Sequence, residues 1–223
     1  MELVRMEFLK RFKIEIKNKK LLQRALTHSS YANEHKEQGD YERLEFLGDA
    51  VLQMIVSKYL YLKTEYDEGK MTKMRSSYVC EEALSTYARE IKLDKYVYLG
   101  VGQLDNLNNT ILADVFEAVV AVIYLDQGLK KASDFVITII KPYINKNIIF
   151  NNDYKTLLQE YVQMDKKTLV YEIVNEYGKS NDKTFEVVVK IDEIIYGKGI
   201  GKSKKEAEQK AAFDAYQKSA NLR

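Results

Sequence analysis

The chain has 223 residues, with 35 Lys+Arg against 33 Asp+Glu, a net charge of +2 and a hydrophobic fraction of 46%. That length holds one large domain or two smaller ones, and the apolar fraction excludes global disorder. A single cysteine, Cys80, excludes an intramolecular disulfide framework and a cysteine-cluster zinc site, and the longest apolar run, Ala118 to Leu125, is far short of the roughly 20 residues of a membrane-spanning helix.

From Leu3 to Ile144 the apolar residues recur mostly at spacings of three and four, the helical period. Leu44, Leu47, Val51, Met54 and Ile55 form one such series; Ile111, Val115, Ala118, Val119, Val122 and Ile123 form another. Gly39, Gly69, Gly100, Gly102 and Gly128 read as punctuation between helices. An all-helical domain is therefore expected over 1–146, followed by a short polar linker over 147–152. A second domain over 153–223 opens on a helix from Thr156 to Met164. Leu169, Tyr171 and Ile173, then Phe185, Val187, Val189 and Ile191, alternate with more polar neighbours, the mark of strands. Asp192 and Glu193 are a tight-turn candidate, and a short strand follows from Ile194 to Lys198. Ser203 with Glu206 forms a capping box that opens a last helix to about Ser219. The fold class expected is multidomain, all-α followed by an α+β unit of order α-β-β-β-α.

The most informative chemistry is acidic. Spacings of three and four put Glu42, Glu45 and Asp49 on one helix face, where like charges repel. Asp114 and Glu117 lie three apart in an otherwise apolar stretch, where unpaired carboxylates need a cation partner. Glu45, Asp49, Asp114 and Glu117 together would suit a hard divalent ion, Mg²⁺ or Mn²⁺. The competing reading is a solvated acidic face on one helix and an arginine-paired face on the other. A di-iron carboxylate site is disfavoured because His28 and His35 are not placed for paired Glu-x-x-His motifs.

The string GKGIGKS, Gly197 to Ser203, tempts a nucleotide-binding loop reading. That motif needs glycine where Tyr196 stands, so nucleotide hydrolysis fails on spacing. Lys198, Lys202, Lys204 and Lys205 instead crowd a helix start, where free N–H groups also favour phosphate. His28 reads as a structural histidine at a helix end rather than a catalytic base, and Cys80 as a small buried residue.

The segment Glu42 to Leu52, ERLEFLGDAVL, resembles the signature of bacterial ribonuclease III. The resemblance continues through ALTHSSYANE, LADVFEAVVAVIYLDQG, DYKTLLQEYVQ and GKSKKEAEQKAA, in the family's order and over nearly the whole chain. It implies a helical endonuclease domain followed by a double-stranded RNA-binding domain. It further implies a homodimer that cuts duplex RNA with Mg²⁺, or Mn²⁺ in its place. The products carry 5′-phosphate and 3′-hydroxyl ends with short 3′ overhangs. By position, Glu45, Asp49, Asp114 and Glu117 match the metal-binding carboxylates, with Asp49 and Glu117 as principal anchors, and Glu42 matches an auxiliary active-site acid. Phe46 matches the phenylalanine that inserts into the partner subunit. Glu68 matches an acid near the RNA. Thr156, Gln159, Glu160 and Gln163 match minor-groove contacts, and Lys202, Lys204 and Lys205 match the lysines that span the phosphates.

Three positions depart from the family's pattern. The loop Gly178 to Asn181 lacks the usual Gly-Pro-x-His histidine, for which Asn181 or Lys179 would substitute. Tyr41 stands where asparagine often precedes the signature, and Gln103 where an acid is often found.

The expected function is Mg²⁺-dependent cleavage of double-stranded RNA in rRNA and mRNA processing, in the cytoplasm and without membrane attachment. The alternative is a non-catalytic duplex-RNA-binding dimer, which would not require the intact carboxylate set. Split at Asp153, each part carries a net charge of +1, so overall charge does not point to nucleic acid; local segregation of lysines and carboxylates does.

Overall fold

The computed structural model describes residues 7–104, 106–146, 148, 150, 154–164, 167–178 and 183–220. The chain divides into two compact units, Met1–Asn151 and Asn152–Arg223.

The first unit is helical. Its elements are α1 (Glu7–Arg11), α2 (Lys19–Ala25), α3 (Ser29–Glu34), α4 (Glu42–Lys63), α5 (Glu68–Tyr78), α6 (Glu81–Glu90) and α7 (Asn109–Asn145), with 3₁₀ turns at Leu93–Tyr96 and Val101–Gln103. Residues 111–123 of α7 are buried on almost every side, which makes this helix the centre of the unit. Asn108 caps its start by accepting from the Ile111 N–H at 2.9 Å. Gly128, at φ 82° and ψ 172°, interrupts the helical backbone, so α7 is two helices joined at a kink. The buried face of α4, with Leu44, Val51, Leu52, Ile55 and Val56, packs on α7. At their crossing stands Gly48. A Cβ there would fall on the backbone of Glu117 at under 3.0 Å, so only glycine permits this approach.

Two expectations about boundaries change. Gly69 lies inside α5 rather than between helices, because Asp67, two residues earlier, caps that helix and accepts from the Lys70 N–H at 2.7 Å. Phe150, in the stretch read as linker, is buried in the core of the first unit. Its N–H donates to Ser77 Oγ at 2.7 Å, that hydroxyl donates to the Phe150 carbonyl at 2.8 Å, and its ring meets Tyr87 edge-on. Phe150 closes the short apolar run Ile148–Ile149–Phe150, and a buried slot that accepts its ring outweighs the polar residues on either side.

The second unit comprises α8 (Tyr154–Met164), β1 (Leu169–Tyr177), β2 (Thr184–Ile191), β3 (Ile194–Gly201) and α9 (Lys204–Ala220). The strands form an antiparallel sheet in the order β1-β2-β3. Asp192 and Glu193 join β2 to β3, both at positive φ (47° and 69°), as a two-residue hairpin turn requires. Phe185, Val187, Val189 and Ile191 face inward onto Leu158, Val162 and the alanines of α9.

Strand β3 runs to Gly201, three residues past its expected end. Gly197, Gly199 and Gly201 alternate onto the inner face, where a Cβ would fall under 3.0 Å from the backbone of Ala207, Ala211 or Ala215. These glycines let α9 lie close against the sheet, and their role is packing rather than gripping phosphate. Ser203 Oγ accepts from the Glu206 N–H at 3.2 Å, while the Glu206 carboxylate accepts from the Lys202 N–H at 2.8 Å, which fixes the start of α9. Among the described residues, no helix is long and apolar enough to cross a membrane.

Candidate active site

Helices α4 and α7, which cross at Gly48, carry two sets of carboxylates. Glu42, Glu45 and Asp49 come from α4, and Asp114 and Glu117 from α7. The Asp49 carboxylate accepts twice from Gln53 Nε2, one helical turn on, at 2.8 and 3.0 Å. Asp114 Oδ2 accepts from the Tyr41 hydroxyl at 3.1 Å. Glu42 is exposed at the first turn of α4, and its N–H donates to Asp40 Oδ1 at 3.2 Å.

Glu117 stands apart. Among the described residues it meets neither a cation nor a hydrogen-bond donor. Burial, then the charges of Asp49, Glu45 and Asp114, push its carboxyl from the usual 4.5 up to about 8. Glu45 is raised too, by burial and then by Asp114, Glu42 and Asp49. Asp114 is raised by burial, against the opposing hydrogen bond from Tyr41. This mutual coupling places the four carboxylates in one electrostatic field. As they stand, no three carboxylate, imidazole or thiol groups among the described residues converge closely enough to hold one ion. The donor set still fits a divalent cation: every group is a hard oxygen ligand, and the most buried of them lacks a countercharge.

A pH effect follows from Glu117. Its folded pKa lies above its unfolded one, so the folded state holds more protons between about pH 4.5 and 8. Stability conferred by the neutral form is complete below about 4.5 and is lost as pH rises through 8. In metal-free buffer Glu117→Gln should therefore be more stable than the parent at pH 8.5, by about 1–3 kcal/mol after allowance for solvent screening. At pH 5 the gain should nearly vanish. Denaturant melts at the two pH values measure this, and equal gains at both would mean that ionisation of Glu117 is not the cause.

Other expected residues fall as follows. His28 caps α3: its Nδ1 accepts from the Ser30 N–H at 3.1 Å, a structural role. Cys80 is half-buried rather than fully buried; its thiol donates to the Ser77 carbonyl at 3.2 Å, and burial raises its pKa. Phe46 is 82% exposed on α4, and Met54, two turns on, is exposed as well. Glu68, at the start of α5, is exposed and accepts from the Thr72 hydroxyl at 3.1 Å. In the second unit, Gln159 and Gln163 are exposed one turn apart on α8, and Lys202, Lys204 and Lys205 are exposed around the start of α9. Lys155 links the two helices through Glu208 at 2.7 Å. The side chains of Thr156 and Glu160, and the whole of Asn181, lie outside the described residues.

Two residues not expected at the site, Gln53 and Tyr41, touch the carboxylates. Gln53 was legible in principle, as an i, i+4 partner of Asp49. The contact of Tyr41 with Asp114 was not, because it needs the packing of two helices 73 residues apart in the chain.

The carboxylates held between two crossing helices, followed by an α-β-β-β-α module with lysines at a helix start, define a helical nuclease joined to a double-stranded RNA-binding module. Residues 18–144 match the family described as Ribonuclease-III-like, and residues 154–219 match the Double-stranded RNA binding motif. The Ribonuclease 3 of Phytoplasma mali is 47% identical over 207 residues, 92% of each chain. That of Latilactobacillus sakei is 44% identical over 213 residues, 92% of this chain and 93% of its own. The solved nuclease domain of ribonuclease III from Campylobacter jejuni, described for flexibility in a region involved in dimer formation, superposes with a TM-score of 0.57 at 33% identity. It covers 61% of this chain and 95% of its own. The chain belongs to the ribonuclease III family and is an endoribonuclease of double-stranded RNA.

Proposed function

We propose that the chain acts as a homodimer and hydrolyses duplex RNA with Mg²⁺ held by Glu45, Asp49, Asp114 and Glu117. The observation that carries this reading is Glu117, a carboxylate set among three others in an apolar surround with no cation beside it. Folding alone gains nothing from such an arrangement, whereas a bound divalent ion would turn its repulsion into attraction. The all-oxygen donor set suits Mg²⁺, with Mn²⁺ able to substitute. When bound, such an ion supplies Lewis-acid polarisation of the phosphoryl group and lowers the pKa of water.

Within this reading, Asp49 and Glu117 are the principal anchors and catalytic carboxylates, and Glu45 and Asp114 complete the set. Gln53 holds the Asp49 carboxylate in one orientation. Glu42, at the exposed rim, is the auxiliary acid. Each subunit cuts one strand, leaving 5′-phosphate and 3′-hydroxyl ends with short 3′ overhangs. The exposed Phe46 is the residue that enters the partner subunit, where its apolar surface would be buried.

The RNA is recognised by shape. Gln159 and Gln163 face the shallow minor groove and its 2′-hydroxyls, Thr156 and Glu160 are assigned to the same groove by their place in the sequence, and Asn181 or Lys179 takes the part of the absent loop histidine. Lys202, Lys204 and Lys205 bridge the flanking phosphates, and Glu68 lies near the RNA in the nuclease domain. The cellular role is maturation of rRNA and mRNA in the cytoplasm.

Incubating long duplex RNA with the protein in Mg²⁺, and in parallel with chelator, tests the metal and the products. Short fragments bearing 5′-phosphate only in Mg²⁺ are expected. Duplex that is bound but left intact in both would favour the non-catalytic binder.

A further inference from the structure

Tyr41 is almost completely buried, at 4% exposure, and its position is fixed from several sides. Its N–H donates to the Thr27 carbonyl at 3.0 Å, and Thr27 is itself fully buried. Its own carbonyl accepts from the Leu44 and Glu45 N–H groups at 2.8 and 2.9 Å, so its backbone begins the helix that carries Glu42, Glu45 and Asp49. The His28 ring lies against its side chain, with centroids 5.8 Å apart. From this held position the hydroxyl donates to Asp114 Oδ2 on α7, at 3.1 Å. One residue thus anchors the start of one carboxylate helix by its backbone and a carboxylate of the other by its side chain.

We propose that Tyr41 is a positioning residue for the metal site: its phenol fixes the rotamer of Asp114, so that one oxygen of that carboxylate is held ready for a divalent ion. This rests on the assignment of Asp114 as a ligand under the proposed function. The phenol touches the carboxylate rather than the ion. A carboxylate with two free oxygens samples several rotamers, whereas a buried donor on one oxygen leaves the other aimed at the ion. Loss of such partners typically lowers metal affinity by about 10–100-fold. Phenylalanine at 41 keeps the buried ring and removes only the donor.

The test uses the full chain as parent, Tyr41→Phe and Asp114→Asn. Mn²⁺ affinity is read by electron paramagnetic resonance on the protein without RNA, since Mn²⁺ would support cutting of the duplex and bind its phosphates. The Mg²⁺ concentration for half-maximal cleavage is measured separately. Tyr41→Phe should bind Mn²⁺ about tenfold more weakly and need about tenfold more Mg²⁺. At saturating Mg²⁺ its kcat should return to near the parent value, with KM for duplex RNA unchanged. A role in folding alone would lower the melting temperature without moving the Mg²⁺ midpoint. Weakened Mn²⁺ binding in Asp114→Asn, with none in Tyr41→Phe, would overturn the positioning role and leave the ligand assignment standing. Parent-like Mn²⁺ binding in both would overturn the two together. If Tyr41→Phe does not fold, 3-fluorotyrosine at position 41 changes the strength of the donated hydrogen bond without removing it, and an unmoved Mg²⁺ midpoint there also overturns the proposal.

Discussion

Glu117→Gln should cleave duplex RNA at about a thousandth of the parent rate in Mg²⁺, a loss of about 4 kcal/mol of transition-state stabilisation. Its affinity for the same duplex should stay within about threefold, because the RNA-binding module is a separate folded unit. The substitution is close to isosteric and removes one negative charge from a site where burial and three neighbouring carboxylates already oppose that charge. The protein should therefore become more stable while it loses activity. These opposite signs make the result diagnostic, since a loss of cleavage cannot then be assigned to unfolding. Single-turnover cleavage beside a binding titration measures both, and parent-like cleavage would remove Glu117 from the metal site.

Gly48→Ala should be destabilising, against the ordinary rule for helices. Within an exposed helix, alanine for glycine gains about 1 kcal/mol from backbone entropy. At position 48 the added methyl would fall under 3.0 Å from the Glu117 backbone, and neither partner is a flexible side chain that could move aside. Helices α4 and α7 must separate, at about 3 kcal/mol or more for overpacking between two backbones. The net loss is about 2 kcal/mol, which lowers the melting temperature by about 5 °C for a domain of this size. The same separation moves Asp49, the next residue, away from Glu117, so Mg²⁺-dependent cleavage should fall as well. Gly102→Ala is the control, since nothing lies within 4 Å of a Cβ there. A parent-like melt for Gly48→Ala would mean that the helices do not cross so closely.

Much of this architecture was legible because burial imposes a period. The apolar residues of α4 and α7 recur every three or four residues because each helix turns a face to the other. Phe185, Val187, Val189 and Ile191 alternate because one side of the sheet meets α8 and α9. The carboxylates were legible for the opposite reason, since Asp114 and Glu117 break an apolar pattern that a simple core would keep.

What stayed hidden depends on contacts between distant segments. Gly199 and Gly201 fall past the expected end of the third strand until α9 is laid on them. Gly69 looks like a break until the Asp67 cap is seen. Phe150 ends a three-residue apolar run between asparagines and is claimed by a slot beside Ser77, 73 residues away. Tyr41 differs from the family's usual asparagine, and only the packed structure brings its hydroxyl to Asp114.

Whether carboxylates from two helices form one divalent-metal site can be seen by anomalous diffraction from crystals grown in Mn²⁺ with bound duplex RNA. Anomalous density is expected among Glu45, Asp49, Asp114 and Glu117. Mn²⁺ density elsewhere on the protein, with none among those four side chains, would contradict a shared site.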